Sequence, residues 1–260
     1  MTTVERTGGS APELLGTLAA EHATGALSTE SGIFYLSAGH VVHVESGHSP
    51  DLGDLLTRSG AVAPAGWWEA VERAGAAHQV GRRLVDSGRL TTGALELCHL
   101  GALFDAAYFA LAHDGAALRF RPGVAHWFGA VRPVPVATVL RESRRRGDLL
   151  HRIWPDPAVD TAPLTRADGA DPAGLPPRRG RTLALVDGGR TAAQIASALA
   201  HRTFHTLVEL RRLAADGLVT PAPPPPPATP VHPVPGAGGT AWDEPDTALL
   251  RRLLDALEAL

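Results

Sequence analysis

Lysine is absent from this chain: all 24 basic residues are arginine. The 260 residues also include one cysteine, one methionine and only 5% aromatics. A lone cysteine, Cys98, excludes an internal disulfide framework and any multi-cysteine zinc or iron–sulfur centre. No apolar run approaches the roughly 18 residues of a membrane span. Residues 1–15 lack the basic-then-apolar layout of a secretory leader, so a cytoplasmic protein without membrane attachment is expected. Also missing are GxxxxGK[ST], GxSxG and HExxH, and there is no convincing GxGxxG. Accordingly no catalytic residue, no metal and no cofactor is assigned, and an enzyme is not expected. The missing lysine itself reflects the coding habit of a GC-rich genome.

The arginines that are present are unevenly placed. Residues 1–140 carry a net charge of −4, residues 141–175 none, residues 176–220 +4 and residues 221–260 −3. One basic stretch inside an acidic chain suggests either an anionic partner or a solvated arginine-rich surface. A length of 260 suggests two domains. Two proline-rich segments, 154–177 and 221–242, read as linkers, because proline removes a backbone donor and resists regular structure. The expected units are therefore 10–153, 178–220 and a tail at 243–260.

In the first unit, residues 12–20 (PELLGTLAA) start like a short helix. GALSTE, IFYLS and HVVHVE then read as three short strands, with Ala38-Gly39 as the last hairpin turn. Over about 13–46 the motifs ELLGTL, TGALS and GIFYLSAGHVVHVES resemble the N-terminal part of the PATAN domain, the DUF4388 type. That resemblance implies a regulatory or protein-interaction domain without catalytic residues.

An internal repeat of period 28 occupies 52–100. Gly53 aligns with Gly81, Ser59-Gly60 with Ser87-Gly88, and Leu56, Val62 and Trp67 with Leu84, Leu90 and Leu95. Each copy reads as a helix, a Ser-Gly stop and a second helix opened by Pro64 or Thr91. Such hairpins need each other to bury their apolar faces. They resemble the LGxxLxxxGxxxxxxL helical insertions of bacterial regulatory and secretion proteins. Residues 95–113 continue as a buried helix, a strand or hairpin follows, and 136–154 form an amphipathic helix with a basic patch. His40, His43 and His48 with Glu45 suggest a metal set, but strand residues three apart face opposite sides, which argues against it. Trp67, Trp68 and Trp127 are expected in the core, with an apolar ligand pocket as the alternative.

Residues 182–220 show a helix ended by Asp187-Gly188-Gly189, a second helix capped by Thr191, and a longer helix at 203–216 stopped by Gly217. Leu218–Thr220 starts a β-wing. This order is that of a winged helix-turn-helix. Over 183–219 the chain resembles winged-helix modules with the pattern DGxRTxxxIAxxL…LxxLxxxGLV found in bacterial regulators. The apolar stripe of the third helix packs on Ile195 and Leu199, leaving Arg202, His205, Glu209 and Arg212 outward. Arg178, Arg179, Arg181, Arg202, Thr203, His205 and Arg212 are the expected contacts to double-stranded DNA. Glu209 is unfavourable there.

In the tail, Leu250, Leu253, Leu254, Leu257 and Leu260 lie at helical spacing and point to homodimerisation. The whole is expected to be α+β: a PATAN-like mixed domain with an inserted helical-hairpin repeat, a small winged-helix domain and a C-terminal amphipathic helix. Two functions follow: a DNA-binding transcriptional regulator, or a protein-interaction adaptor that does not touch nucleic acid. The protein partner of the N-terminal unit is not identified by the sequence.

Overall fold

The computed structural model describes residues 4–6, 10–112 and 118–222. Val4–Arg6 forms β1. Ser10 then starts α1 (Ala11–Ala20) through a reciprocal cap. Its hydroxyl accepts from the Glu13 amide at 3.4 Å, and its own amide donates to the Glu13 carboxylate at 3.2 Å. β2 (Gly25–Ser28), β3 (Ile33–Ser37) and β4 (His40–Glu45) follow as an antiparallel meander. The β3–β4 hairpin turns through Ala38 and Gly39 with φ of +47° and +78°, the left-handed pair a two-residue turn requires.

The repeat folds as α2 (Leu52–Arg58), α3 (Pro64–Ala74), α4 (Val80–Asp86) and α5 (Thr92–Ala110). Asp51 caps α2 and Thr91 caps α5 through the amides of Asp54 (2.7 Å) and Ala94 (3.2 Å). Gly60 and Gly88 end α2 and α4 at φ of +75° and +71°. Leu56 and Leu84 are fully buried at equivalent places. The aligned glycines admit aromatic rings: Gly53 lies beneath Trp67 and Gly81 beneath Phe128.

β5 (Leu118–Pro122) returns between β1 and β2, β6 (Val134–Pro135) pairs with β4, and α6 (Val136–Ile153) follows. The six-stranded sheet runs β1-β5-β2-β3-β4-β6 and is antiparallel throughout. Three apolar clusters form. Leu15, Phe34, Leu103, Ala107 and Val139 belong to the one that joins α1, α5 and α6 to the sheet. The repeat encloses the second, around Leu56, Trp67, Leu84 and Phe128. Phe109 and Leu150 reach into the third, beside Leu183, Ile195 and Leu207. Helix α5 contributes to all three, which explains its mostly apolar sequence on every side.

The expected linker 154–177 is folded. It forms α7 (Ala158–Thr161), β7 (Leu164–Arg166) and a 3-10 turn (Pro172–Gly174), and Val159 and Leu164 are fully buried. Three of its six prolines occupy positions that need no backbone donor: Pro157 precedes α7, Pro172 opens the 3-10 turn, and Pro177 opens α8 (Pro177–Ala184). Helix α8 thus starts five residues before the expected Thr182. α9 (Ala192–Ala198) and α10 (Thr203–Ala215) follow, then β8 (Val219–Pro221). Strand β8 pairs antiparallel with β7, so the expected wing finds its partner before the three helices instead of after them.

The architecture is α+β. The described residues up to Ala222 make one unit instead of two domains on a linker. The Pro-rich run 223–242 and the tail with Leu250, Leu253, Leu254, Leu257 and Leu260 lie outside the described residues. Among the described residues no helix is long and apolar enough to cross a membrane.

Glycine at 53 is a packing requirement, since a Cβ there would sit 2.4 Å from the Trp67 ring. Gly93 on α5 has nothing within 4 Å of a Cβ. Gly53→Ala should lower the unfolding free energy by about 1–3 kcal/mol. Gly93→Ala should raise it by roughly 0.5–1 kcal/mol. Urea denaturation of the two variants checks both signs.

Candidate functional sites: the α8–α10 face and a buried histidine cluster

Thr191 opens α9 with a second reciprocal cap. Its hydroxyl accepts from the Gln194 amide at 3.4 Å, and its amide donates to the Gln194 side chain at 2.8 Å. Ala200, at φ of +52°, then turns the chain into α10. Arg178 and Arg181 on α8 and His205 on α10 are exposed. Arg202 is half-buried and lies along Gly101 of α5, where a Cβ would come within 2.4 Å of its Cδ. Burial and the neighbouring Arg178 and Arg181 hold the His201 imidazolium below its ordinary range. Burial, and then Arg202, do the same for His205.

Three expected DNA contacts are buried or already paired. Thr203 is fully buried. Arg179 pairs with Asp216 at 2.8 Å and with Glu209 at 3.5 Å. Arg212, although exposed, donates to Glu209 at 3.1 Å. Glu209 was expected on the outward face but is only 9% exposed. The reason is that α10 is covered on more than its apolar stripe. Arg211 beside it is 2% exposed and grips Asp160 of α7 at 2.7 and 2.8 Å. The first turn of α10 is also covered. Asp105 of α5 accepts the Phe204 amide at 3.1 Å on one oxygen and Arg146 of α6 at 2.7 Å on the other. The Arg146 guanidinium stands 4.5 Å from the Phe204 ring centroid.

The second site lies where the sheet meets the repeat. The β3–β4 register shifts between Tyr35 and Leu36, leaving Val42 unpaired as a bulge. Strict alternation therefore fails across 40–43, the premise on which the histidines of β4 were set apart. His40 is exposed and stays at the hairpin turn, its Nδ1 3.1 Å from the Ala38 carbonyl. His43 is buried and stacks on His126 with ring centroids 3.7 Å apart. His126 comes from the loop between β5 and β6. Gly81 binds that loop through the Phe128 carbonyl at 3.0 Å, and the His78 ring through the His126 carbonyl at 3.2 Å.

His126 Nδ1 accepts from the Phe128 amide at 3.3 Å, so in the neutral ring Nε2–H donates to Glu45 at 3.0 Å. The Tyr35 hydroxyl donates to the other Glu45 oxygen at 3.1 Å. His99 of α5 is fully buried and donates from Nε2 to the Val42 carbonyl at 2.9 Å, filling the need the bulge creates. The Glu45 carboxyl is held below its usual range by the His126 hydrogen bond, and burial pushes the Tyr35 hydroxyl up to about 12. Burial holds His43 well below 6.5, aided by His126 and His99, and holds His99 down to about 4.

A cavity of about 430 Å³ opens beside His43 and Glu45 and is lined further by Thr29, His48 and Ser49. Sequence reasoning missed His126 and did not bring His99 beside β4, since both lie far along the chain from it. The one local sign was a histidine set in the aromatic run AHWFG. Of the three tryptophans expected in the core, Trp67 is buried, Trp127 is 37% exposed and Trp68 is 66% exposed.

A histidine buried in its neutral form gains a proton on unfolding wherever the pH lies between its two pKa values. The stability that His99 contributes is fully present above about 6.5 and is lost as the pH falls towards about 4. The melting temperature should therefore drop between about pH 7 and about pH 5. His99→Gln should show a shallower drop in scanning calorimetry.

No family model matches this chain, and neither does any curated protein or solved structure.

Proposed function

We propose that this chain is a non-catalytic bacterial regulator that binds double-stranded DNA through α8–α10, with the PATAN-like half acting as its sensing or interaction part. The observation that carries this reading is one basic surface. Arg178, Arg181, His201, Arg202 and His205 gather there, close enough for the arginines to disfavour the charge on both histidines. They belong to a helix-turn-helix whose net charge is +4 over 176–220. Arg178 and Arg181 are the phosphate contacts, and His205 is the group nearest to a base edge. The leucines of 243–260 would pair two copies so that two such surfaces meet two half-sites.

One observation favours a second reading, a protein-interaction adaptor in which nucleic acid plays no part. A helix-turn-helix presents the first turn of its second helix to the groove, whereas here Asp105 and Arg146 cover that turn.

Binding of the full chain to native promoter fragments over a salt series separates the two. A DNA-binding protein should show a steep negative slope of log affinity against log salt. The double variant Arg178→Ala/Arg181→Ala should flatten that slope by about 2, one per lost phosphate contact. Arg212→Ala, whose charge is already matched by Glu209, should change it less. Salt-independent affinity, or no binding, overturns the DNA reading in favour of the adaptor.

A further inference from the structure

We propose that His43, Glu45 and His126 bind one divalent ion of the zinc class, with its remaining coordination position open to the adjoining cavity. The donor atoms of these three side chains already lie within 4.8 Å of one another. Ligand atoms around a tetrahedral zinc with bonds of about 2.0–2.1 Å sit roughly 3.3 Å apart. The His126 Nε2–Glu45 Oε1 separation of 3.0 Å is close to that value, so only His43 has far to move. Two imidazoles and one carboxylate form a borderline donor set that suits zinc better than magnesium or calcium, which take oxygen ligands.

Independent support comes from an unmet hydrogen-bonding group. His43 is 6% exposed, yet its Nδ1 has no hydrogen-bond partner among the described residues. Buried ring nitrogens are almost always paired, and an ion is one of the few partners that fits among imidazoles. The surroundings resemble the outer shell of a ligand set. The Tyr35 hydroxyl orients Glu45, and the bulge at Val42, pinned by His99, fixes the aim of His43. The cavity provides a route in and room for a water or anion as the fourth ligand. On binding, the neutral His126 ring changes tautomer: Nε2 gives up its proton to take the ion and Nδ1 becomes protonated. The long 3.3 Å contact from the Phe128 amide is then given up, and the Glu45 hydrogen bond is replaced by shared coordination. This site is independent of the DNA-binding reading, since it lies between the sheet and the repeat.

The test uses the full chain, stripped with chelator and titrated with Co²⁺ and then Zn²⁺. Saturation at one equivalent is expected, with the intense visible absorption of four-coordinate cobalt and its loss when Zn²⁺ displaces it. His126→Ala and Glu45→Gln should each weaken binding by ~100-fold or more, and Tyr35→Phe by roughly 10-fold. His40→Ala, on the same strand but outside the cluster, should leave it unchanged. Circular dichroism checks that each variant is folded. If His126→Ala does not fold, the wild-type cobalt spectrum and Glu45→Gln, which keeps the side-chain shape, still decide. No saturable event in the wild type, the pale spectrum of six-coordinate cobalt, or unaltered affinity in Glu45→Gln overturns the proposal.

Discussion

The Asp105 carboxylate joins the two halves of the fold. It is 3% exposed, and it divides its oxygens between the Arg146 guanidinium and the Phe204 amide. A charge so deeply buried is tolerated only when its lone pairs are met, and truncating one partner of such a pair costs about 3–5 kcal/mol. Helices α5, α6 and α10 are therefore held in one arrangement. Asp160 repeats the device from α7. It receives Arg211 on both oxygens and the Tyr108 hydroxyl at 2.6 Å, while Arg211 also reaches the Trp154 carbonyl. Between these two carboxylates the third apolar cluster closes, with Phe109 and Leu150 of the first half among the side chains of the second. The sheet half and the α8–α10 half share a core, so neither has a complete interior alone.

That arrangement decides which groups of α10 are left exposed. In a free helix-turn-helix the first turn of the second helix is its leading edge, with its amides and positive dipole end turned outward. Here one of those amides is taken by Asp105 and the adjacent ring lies under Arg146. The surface left to solvent is lateral: Arg178 and Arg181 from α8, then His205 and Arg212 along α10. On this face α8 and α10 lie side by side. Because Glu209 already neutralises part of Arg179 and Arg212, the usable positive charge is concentrated towards the α8 end.

What the sequence made legible was local. Thr91 and Thr191 cap helices because their hydroxyls reach amides within one turn. Ser-Gly stops and the Ala38-Gly39 turn depend on the φ of one or two residues. The errors arose where a local pattern had a distant cause. Six prolines in 154–177 look like a linker, but several stand where helices begin, and the intervening Val159 and Leu164 are core residues. Helical spacing alone puts Glu209 outward on α10, yet it is buried because its partner Arg179 comes from α8, just as its buried neighbour Arg211 pairs with Asp160 of α7. The histidine cluster was hidden for both reasons at once. Alternation does not foresee the bulge at Val42, and nothing near β4 announces a ring delivered from residue 126.

The divergence of the repeat explains how that ring arrives. In the first copy, Trp67 folds back over Gly53 and fills the space of its own hairpin. The aligned position in the second copy is Leu95, which is smaller, and Gly81 is covered instead by Phe128 from the β5–β6 loop. Phe128 is 1% exposed, so the loop is anchored by burial of about the size expected for a whole aromatic side chain, roughly 1.5–3 kcal/mol. Two residues earlier in the same loop is His126, set against His43 and Glu45. A bulkier residue at position 81 would displace Phe128 and, with it, the imidazole. One glycine position thus serves two ends: in one copy it closes a core, and in the other it seats the loop that completes a polar site.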